Sequence, residues 1–540
     1  MLTEFLEAVR GLERQKNVTT LSLDDLAERA PAFGRRTASG GMGFFSNVRN
    51  RSAAVSVVFG GESVGQTNLT PAQQAIHDNV EATLKTVREY LKVAPLICVK
   101  RTIGDNGAFE PKCMLYLSVQ RSDNVRQAHL WSRTLKDFDA KTPGPDLRII
   151  CIPEWPEQGR QVLLFPEEGL TVMLGSDYVG EVKMGFLRLA MWEAKQAGML
   201  ALHAGSKVVK ARRPDGSIKR YGMLLFGLSG TGKTTHACHD HGLTGDGEGI
   251  EILQDDIVFL RPDGSALGTE QGFYLKTEGI SSEHQPIIYK GLMTREALFE
   301  NVVIDAEGTI DFTNMTLGSN GRAVIPRSVL APHLADGINL PPLDQLDGLV
   351  VAFITRRMTV LPIASRLTAE QAAATFMLGE SIETSAGDPR RAGQSVRVVG
   401  TNPFIIGDQA REGNWFYDFL KSNEDKVQCY LLNTGGVGQL SDREEDGRFV
   451  VKRKPLRVEI PEMAAIIRGL ASGTVEWTPE EAFGTRSPAS VEGVDMGKFD
   501  LEHHYSAEQA SEYISTLRQE RREWLSRFPA LHKDVADSLA

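Results

Sequence analysis

The chain has 540 residues, of which 41% are hydrophobic and 24% are charged, the balance of an ordinary globular protein. The formal net charge of −10 argues against a general nucleic-acid binder, because such proteins normally carry a basic surface. The 5 cysteines are scattered, so we expect no disulfides. No apolar stretch approaches the roughly 18–20 residues of a membrane helix, and the N-terminus lacks a signal-peptide pattern. We therefore expect a cytoplasmic protein without membrane contacts.

The first part of the chain alternates between helical and strand-like patterns. Apolar residues at helical spacing predict helix over residues 1–30, and the composition of residues 34–52 predicts a loop. Further helices are predicted over residues 73–93, 124–135 and 178–197. Strand-like apolar runs occupy residues 53–59, 96–99, 113–119 and 147–152. This alternation predicts a mixed α/β unit.

From about residue 200 the pattern changes to short apolar strands separated by turns rich in glycine and aspartate. The basic stretch 207–221 predicts a solvated hairpin, since charge runs usually face water. Residues 378–412 and 433–456 are expected to form loops, and residues 505–540 to be helical. Strands are predicted over residues 200–203, 222–226, 250–253, 257–260, 349–354 and 428–432.

A glycine-rich loop, Gly227-Leu-Ser-Gly-Thr-Gly-Lys233-Thr234, follows a strand-like run and precedes a helical one. In this context the motif predicts a nucleotide phosphate site, because glycines let successive N–H groups point at an anion. Lys233 adds a mobile positive charge, and the Thr234 hydroxyl suits Mg²⁺. The alternative is a chance glycine-rich turn, which the flanking strand and helix argue against. The predicted phosphate contacts are Gly227, Leu228, Ser229, Gly230, Thr231, Gly232, Lys233, Thr234 and Thr235.

Two acidic residues, Asp255 and Asp256, stand between two strand-like runs downstream of the loop. Paired acids are usually surface turns, but beside a phosphate loop they predict a divalent-metal site. A second cluster, His236, Cys238 and His239, suggests zinc at first sight. Its spacing matches no usual zinc pattern, so we expect these side chains to be structural or solvent-exposed.

Several further segments stand in order along the chain. They are Tyr178-Val-Gly-Glu-Val-Lys-Met184, Leu202-His203, Gln254-Asp255-Asp256, Glu296-Ala-Leu-Phe-Glu300, Leu361-Pro-Ile-Ala-Ser-Arg366, and Leu432-Asn-Thr-Gly-Gly436 with Arg457 further on. Together with the phosphate loop, these segments resemble those of the ATP-dependent phosphoenolpyruvate carboxykinases. The similarity covers most of residues 95–470 and is strongest over 178–300 and 349–370.

The resemblance implies a two-domain α/β fold with the active site in the cleft between the domains. Residues 1–200 would form an N-terminal α/β domain on the substrate side, and residues 201–540 a P-loop domain that binds nucleotide and metal. The implied reaction converts oxaloacetate and ATP into phosphoenolpyruvate, CO₂ and ADP. It implies Mg²⁺ on the nucleotide and a second ion, often Mn²⁺, that bridges to the substrate. The expected partners are therefore ATP and a small-molecule acid; the sequence does not indicate an oligomeric state.

The resemblance also implies roles for residues on the nucleotide and metal side. By position, His203 and Asp256 match ligands of the second ion, and Asp255 stands beside them. Glu300 and Arg457 lie where the family places residues of the nucleotide site. Two cations, the loop lysine and arginines would supply the positive charge that phosphoryl transfer requires.

On the substrate side, Tyr178 matches a residue that lines the pocket, and Arg366 matches one that reaches both substrate and transferring phosphate. Lys183 is retained, but Met184 stands where the family has a second lysine that binds the bridging metal. A thioether is a poor ligand for a hard ion such as Mn²⁺ or Mg²⁺. Either water or another side chain completes the site, or the site is altered.

The N-terminal substrate segment also departs from the family. The family carries Thr-Gly-Arg-Ser-Pro-Lys-Asp, whose arginine holds the substrate carboxylate, whereas this chain has Asn47-Val-Arg49-Asn-Arg51-Ser52-Ala. Arg51 with Ser52 is the better match for the arginine–serine pair, and Arg49 is the rival. The following Pro-Lys-Asp is absent, so both departures fall on the substrate side.

Three hypotheses about function follow. The first is a divergent ATP-dependent phosphoenolpyruvate carboxykinase with Lys183, Lys233, Arg366 and Arg51 as catalytic residues. The second is a small-molecule kinase of the same fold that does not decarboxylate, because function resides in the site and not in the fold. The third is a nucleotide sensor without turnover, which the retention of Lys233 and Asp256 argues against.

Overall fold

The structure is a computed structural model that describes residues 2–66, 68–157, 159–228, 230–316, 320–382, 394–443 and 449–539. These residues form a mixed α/β fold built on three large sheets and several two-stranded ladders. The α-helices of the described residues are Leu2–Arg10, Leu23–Arg29, Pro71–Asp78, Val80–Leu91, Val125–Ser132, Val179–Gln196, Lys233–Ala237, Pro286–Leu292, Ala369–Leu378, Gln409–Ser422, Ile460–Ser472, Ala507–Leu525 and Lys533–Asp537.

The first sheet has 8 strands and comes from the N-terminal part of the chain. In spatial order its strands are Val18–Thr20, Leu96–Thr102, Lys112–Ser118, Asp146–Ile152, Leu170–Leu174, Gln161–Phe165 and Ser56–Val58, with Lys136–Asp137 added beside Leu96–Thr102. Helix Val80–Leu91 packs on one face, and helices Val125–Ser132 and Val179–Gln196 pack on the other. Because both faces are covered, the central strands are almost continuously apolar.

The second sheet has 10 strands and carries the phosphate loop. In spatial order its strands are Ala266–Gly268, Ile257–Leu260, Leu200–Arg212, Ile218–Gly227, Gly348–Thr355, Val427–Asn433, Ala364–Leu367, Thr485–Ser490 and Glu476–Glu480, with Gly249–Gln254 added beside Leu200–Arg212. Strands Ile218–Gly227, Gly348–Thr355 and Val427–Asn433 run parallel. Their carboxyl ends therefore meet at the edge from which the loop leaves, the usual position of ligand sites in such sheets.

The third sheet has 5 strands and joins distant parts of the chain. In spatial order they are Gly272–Lys276, Arg322–Pro326, Leu298–Glu300, Met42–Phe44 and Arg35–Arg36. Met42–Phe44 lies parallel to Leu298–Glu300, so the N-terminal segment is fixed to the second half of the chain. The ladders pair Val303–Ile304 with Ile310–Asp311, Glu380–Ile382 with Ser395–Arg397, Gly436–Val437 with Leu456–Arg457, and Leu440–Arg443 with Phe449–Arg453.

Helix Val179–Gln196 lies at the centre of the molecule. It contacts strand Asp146–Ile152 of the first sheet and strand Leu200–Arg212 of the second. Most of its residues are buried, including the polar Glu181 and Lys183. A helix buried on nearly all sides is expected to be apolar throughout. Polar residues buried in such a helix need partners, and both have them at the site described below.

Most predicted elements are confirmed. The helix predicted over 73–93 is present as two helices, and the predicted helices over 124–135 and 178–197 match Val125–Ser132 and Val179–Gln196. The helical tail is confirmed by Ala507–Leu525 and Lys533–Asp537. The predicted strand runs 96–99, 113–119, 147–152, 200–203, 222–226, 250–253, 257–260, 349–354 and 428–432 all fall on observed strands. Local apolar periodicity is sufficient for these elements.

Other predictions were wrong because pairing between strands far apart in the sequence determines the local structure. Strand Val18–Thr20 interrupts the helix predicted over residues 1–30, because it pairs with Leu96–Thr102. The loop predicted over 34–52 contains strands of the third sheet. The basic hairpin at 207–221 is present, but Lys207 is fully buried, not solvated.

The two segments predicted as loops are only partly so. Strands Glu380–Ile382 and Ser395–Arg397 and the start of helix Gln409–Ser422 lie in the first segment. Strands Leu440–Arg443 and Phe449–Arg453 lie in the second. Residues 383–393 and 444–448 lie outside the described residues.

Across the described ranges no helix combines the length and apolar character needed to cross a membrane. The domain boundary at residue 200 stays a prediction.

A buried ionic cluster attaches the C-terminal helix to the rest of the molecule. Glu380 pairs with Arg521 of helix Ala507–Leu525 through both carboxylate oxygens. Arg357 Nη2 lies 3.2 Å and Arg397 Nη2 3.6 Å from Glu380 Oε2. These side chains are nearly inaccessible to solvent. Arg397 also pairs with Glu520 at 2.8 Å, so Glu380 is the main counter-charge of Arg357 and Arg521.

We expect Glu380→Gln to lower the free energy of unfolding by about 3–5 kcal/mol, because it leaves buried guanidinium groups without a counter-charge. Denaturation midpoints of variant and wild type measure the effect. Glu424→Gln is the matched control, since Glu424 pairs with Lys421 at the surface and such pairs contribute about 0–1 kcal/mol. Equal midpoints for Glu380→Gln and wild type would contradict the prediction.

Candidate active site

The phosphate loop has the backbone conformation that its glycines predict. Gly230 and Gly232 have φ values of +84° and +104°, which L-residues with a Cβ rarely adopt. A Cβ on Gly227 would lie 2.6 Å from Thr231 Oγ1, so this close approach also requires glycine. Strand Ile218–Gly227 and helix Lys233–Ala237 flank the loop as predicted, and Ser229 lies outside the described residues.

Hydrogen bonds hold the loop to the neighbouring strand ends. Thr231 Oγ1 donates to the Leu228 carbonyl at 2.8 Å. Thr434 Oγ1 lies 2.6 Å from the Thr231 carbonyl and 3.1 Å from the Thr355 carbonyl. Gly436, two residues after Thr434, pairs with Arg457, which places this exposed arginine in the segment next to the loop. The nucleotide-side segment predicted from the sequence therefore does reach the loop.

The carboxylate of Asp256 contacts three other side chains of the predicted site. Lys233 Nζ of the phosphate loop lies 2.7 Å from Asp256 Oδ1. His203 Nε2 lies 3.0 Å from the same oxygen, and Lys183 Nζ lies 2.5 Å from Oδ2. The structure thus brings together a phosphate-binding lysine, an imidazole and a substrate-side lysine that are far apart in the sequence.

The charges of this cluster shift one another's titration. Burial alone would raise the pKa of Asp256, but Lys183 and Lys233 hold it well below its usual value. Burial and the negative charge of Asp256 raise the pKa of the adjacent Asp255. Burial and the positive charge of Lys233 lower the pKa of His203, which favours the neutral imidazole. A neutral imidazole beside an ionised carboxylate is a donor pair that suits a divalent cation.

Further residues position this cluster. His203 Nδ1 lies 2.6 Å from the Thr401 carbonyl, so Nε2 is directed at Asp256. Lys183 Nζ also lies 3.0 Å from Glu270 Oε2. Burial raises the pKa of Glu270 to about 8. Sequence reasoning missed Glu270, because no local pattern marks a residue whose position depends on the connection between two sheets.

Arg322 of the third sheet lies beside the predicted substrate residue Tyr178. Asn320 Nδ2 donates to Tyr178 Oη at 3.0 Å, and Arg322 Nη2 donates to Asn320 Oδ1 at 2.8 Å. The Arg322 guanidinium also lies 5.4 Å from the ring centroid of Tyr274. The negative charge of Asp256 is among the causes that raise the pKa of Arg322, so this cation lies close to the Asp256 cluster.

The atypical segment around residues 46–52 is firmly held. The Asp177 carboxylate accepts hydrogen bonds from the Asn47 and Val48 N–H groups at 2.8 and 2.9 Å. Glu181 Oε2 accepts from the Ser52 N–H at 2.6 Å. Both acids belong to the start of the central helix, so the segment runs along the side of the site despite its altered sequence.

Of the two candidate arginines in this segment, Arg51 faces the site. Its guanidinium lies 4.5 Å from the ring centroid of Phe404 and lines a cavity with Met184. Both arginines are exposed, but no cavity contact is found for the Arg49 side chain among the described residues, and its carbonyl accepts a hydrogen bond from Asn320 Nδ2 at 2.6 Å. The placement favours Arg51 as the counterpart of the family's carboxylate-binding arginine.

Comparison with known proteins agrees with this geometry. A family model described as phosphoenolpyruvate carboxykinase matches residues 15–497. The chain belongs to the phosphoenolpyruvate carboxykinase family. The resemblance inferred from the order of the motifs is therefore confirmed.

Individual relatives of the carboxykinase family align over part of their length. A phosphoenolpyruvate carboxykinase (ATP) of Aeropyrum pernix is 36% identical over 365 residues, which are 67% of this chain and 68% of that protein. A glycosomal enzyme of the same name from Trypanosoma cruzi is 31% identical over 58% of this chain and 60% of its own length. One from Rhizobium johnstonii is 28% identical over 62% of this chain and 56% of its own.

Arg366, predicted from the carboxykinase motif to reach the transferring phosphate, does not lie at the cluster. It is exposed on strand Ala364–Leu367, opposite Tyr430 and Arg486. At a strand spacing of about 4.8 Å, its position three strands from Gly227 puts the two backbones more than about 14 Å apart. The motif gave the residue type but not its row in the sheet, and the role of Arg366 stays a prediction, whereas Arg322 lies near Tyr274 and Asp256.

Glu300 also differs from its predicted role in the carboxykinase nucleotide site. It lies on strand Leu298–Glu300, not on a helix, and is fully buried. Its Oε1 accepts from the Val179 N–H at 3.1 Å, and its Oε2 accepts from Tyr274 Oη at 3.3 Å. Burial raises its pKa to about 7. These contacts make Glu300 an anchor for the start of the central helix, without surface for a nucleotide.

The remaining predicted residues lie at or near the loop. Thr234 and Thr235 are half-buried in the first turn of helix Lys233–Ala237, and Gln285 Nε2 lies 3.5 Å from Thr235 Oγ1. Asp255 is buried next to Asp256. The histidines after the loop surround Lys207, whose Nζ contacts the His236 carbonyl at 2.6 Å and the His241 ring at 2.5 Å. This cluster thus fixes the end of the loop helix.

We expect Arg322→Met to reduce the rate of ATP-dependent phosphoryl transfer by on the order of 10²–10³, the usual effect of removing one preorganised charge donor. Arg366→Met should leave the rate nearly unchanged, because Arg366 lies outside the cluster. Steady-state kinetics with both variants measure the difference. A large loss in Arg366→Met together with a small loss in Arg322→Met would contradict this assignment.

Proposed function

We propose that this chain converts oxaloacetate and ATP into phosphoenolpyruvate, ADP and CO₂ in a metal-dependent reaction. The observation that carries the proposal is the convergence of Lys183, His203 and Lys233 on the Asp256 carboxylate. Membership of the carboxykinase family and the names of the relatives support the choice of ATP as donor.

The residues present fit a hydrated divalent ion. His203 Nε2 and Asp256 Oδ1 are 3.0 Å apart and face each other, with the imidazole fixed from behind by the Thr401 carbonyl. Mg²⁺ and similar ions keep several waters and need few protein ligands. We propose that His203 and Asp256 hold the substrate-bridging ion and that Thr234 contributes its hydroxyl to the nucleotide's ion. When bound, these ions stabilise the negative charge that develops on the enolate and the phosphates.

The proposed reaction has two bond-breaking steps. Oxaloacetate loses its C4 carboxylate as CO₂, and the electron pair of the broken C3–C4 bond forms the enolate of pyruvate. The enolate oxygen then attacks the γ-phosphorus of ATP, and ADP leaves. Both steps require positive charge at a fixed position more than they require a proton-transfer group.

On the donor side, the loop and Lys233 bind the phosphates. Lys233 pairs with Asp256 in this structure, so the bound phosphates would share the lysine with that carboxylate. Arg356 follows strand Gly348–Thr355, and its burial and the positive charge of Arg457 lower its pKa. We propose that these arginines extend the cationic surface along the triphosphate.

On the acceptor side, Lys183 and Arg322 flank the place of the enolate oxygen and the transferring phosphate. Tyr178 lines the substrate pocket, held by Asn320. Arg51 takes a substrate carboxylate. Residues 1–200 would supply most of this side and residues 201–540 the nucleotide side, with the substrate between them. The third sheet adds Arg322 from the second half of the chain to the substrate side.

A kinase without decarboxylation is the alternative that Met184 keeps open. Met184 lines the cavity beside Arg51 and brings no charge to it. Such a kinase would consume ATP with an acid acceptor and release no CO₂.

We expect purified protein with oxaloacetate, ATP, Mg²⁺ and Mn²⁺ to form phosphoenolpyruvate, ADP and CO₂ in equal amounts. Coupled detection of phosphoenolpyruvate and of released CO₂ measures the stoichiometry. Lys233→Ala should abolish turnover, because the loop loses its charge on the outer phosphates. Lys290→Ala, a substitution outside the cluster on helix Pro286–Leu292, is the control. If ADP forms with an acid acceptor and no CO₂ is released, the proposed reaction is wrong and the chain is a kinase that does not decarboxylate.

A further inference from the structure

A small cavity that opens to solvent lies beside the Asp256 cluster. Its floor is apolar and comes from the first sheet, namely Val162, Leu164 and Met173. The lining also includes two guanidinium groups, those of Arg51 and Arg188, one carboxylate, that of Glu181, and the ring of Phe404. An apolar pocket with a few converging charged groups is the usual form of a small-molecule site.

The two arginines lie against one aromatic ring. The Arg51 guanidinium is 4.5 Å and the Arg188 guanidinium 5.2 Å from the ring centroid of Phe404. Both distances are within the range of cation–π contacts. The Phe404 ring is also 6.2 Å from the His203 ring, so the arginine pair is next to the proposed metal ligand.

Neither guanidinium has a carboxylate within ion-pair distance in the described part of the chain. Arg188 Nε is buried there without a hydrogen-bond acceptor. Glu181 is the nearby acid, and its Oε2 already accepts from the Ser52 N–H. Burial and the neighbouring Arg51 lower the pKa of Arg188 to about 10, so the group stays charged at neutral pH. The cavity therefore carries an excess of positive charge, which an anion would neutralise.

Arg188 brings a positive charge to the cavity that Met184 lines. The two residues are one turn apart on the central helix and line the same cavity. Side chains at this spacing lie on one helix face, about 5–6 Å apart at Cβ. A guanidinium has no lone pair with which to bind a metal, so Arg188 does not replace the metal-binding lysine of the family but adds a cation that can bind an anion.

We infer that Arg188 is a second substrate-binding cation, which together with Arg51 holds a carboxylate of the acid substrate against Phe404. This inference rests on the proposed function for the identity of the acid. A planar carboxylate matches the two-donor fork of a guanidinium better than a spherical anion does. The apolar floor offers no competing hydrogen-bond partner on its side of the cavity, which favours the pairing.

The inference predicts a selective effect on the acid substrate. In Arg188→Met the KM for oxaloacetate rises about 10- to 100-fold, the range for losing a hydrogen-bonded charge partner, while the KM for ATP stays unchanged. Arg188→Lys retains the charge but loses the fork, so its KM rises less. Arg295→Met is the matched control, because the Arg295 side chain is 84% exposed. An unchanged oxaloacetate KM in both Arg188 variants overturns the inference.

Binding of oxalate, measured by calorimetry with Mn²⁺ present, provides a readout without turnover. The Arg188→Met variant is expected to lose oxalate affinity by a similar factor, and Arg295→Met to keep it. Inorganic phosphate that competes with oxalate at equal concentration would overturn the assignment to a carboxylate. If the wild type forms no phosphoenolpyruvate but oxalate binding depends on Arg188, the proposed function fails and the inference stands. If phosphoenolpyruvate forms and oxalate binding is independent of Arg188, the proposed function stands and the inference about Arg188 fails.

Discussion

The ion-paired carboxylate of Asp256 is the interaction on which the rest of the site depends. An ionised carboxylate buried alone would be strongly unfavourable, by several kcal/mol even after relaxation, and Lys183, Lys233 and His203 offset that penalty. The partners come from the central helix, from strand Leu200–Arg212 of the second sheet and from the phosphate loop. Their convergence requires that helix, sheet and loop keep one relative arrangement.

The substrate side of the site depends on a second constraint, which is the position of residues 46–52. Acids at the start of the central helix bind the backbone N–H groups of this segment, so its position does not require the family's motif. The same helix presents Met184 and Arg188 to the cavity next to Arg51. Met184 brings no charge to this cavity, whereas Arg188, one turn later, brings a cation to it.

Sequence patterns predicted most of the elements. The phosphate loop and the Asp255–Asp256 pair were predictable from local motifs, and His203 followed from the resemblance to the family. Arg322 and Glu270 were not predictable, because they reach the site only through the pairing and connections of the third sheet. Arg366 does not join the Asp256 cluster in this structure, since a motif does not specify in which row and on which face of a sheet its arginine lies, and its role stays a prediction.

The proposed role of Asp256 as a ligand of the bridging ion can be measured by a Mn²⁺ titration followed by electron paramagnetic resonance. Asp256→Asn is compared with wild type and with Asp347→Asn, an acid paired with Lys219 near the surface. Asp256→Asn is expected to weaken Mn²⁺ binding at least about 10- to 100-fold, the loss that even an indirect supporting residue causes, while Asp347→Asn has no effect. Unchanged Mn²⁺ affinity in a folded Asp256→Asn variant would show that Asp256 does not bind the ion.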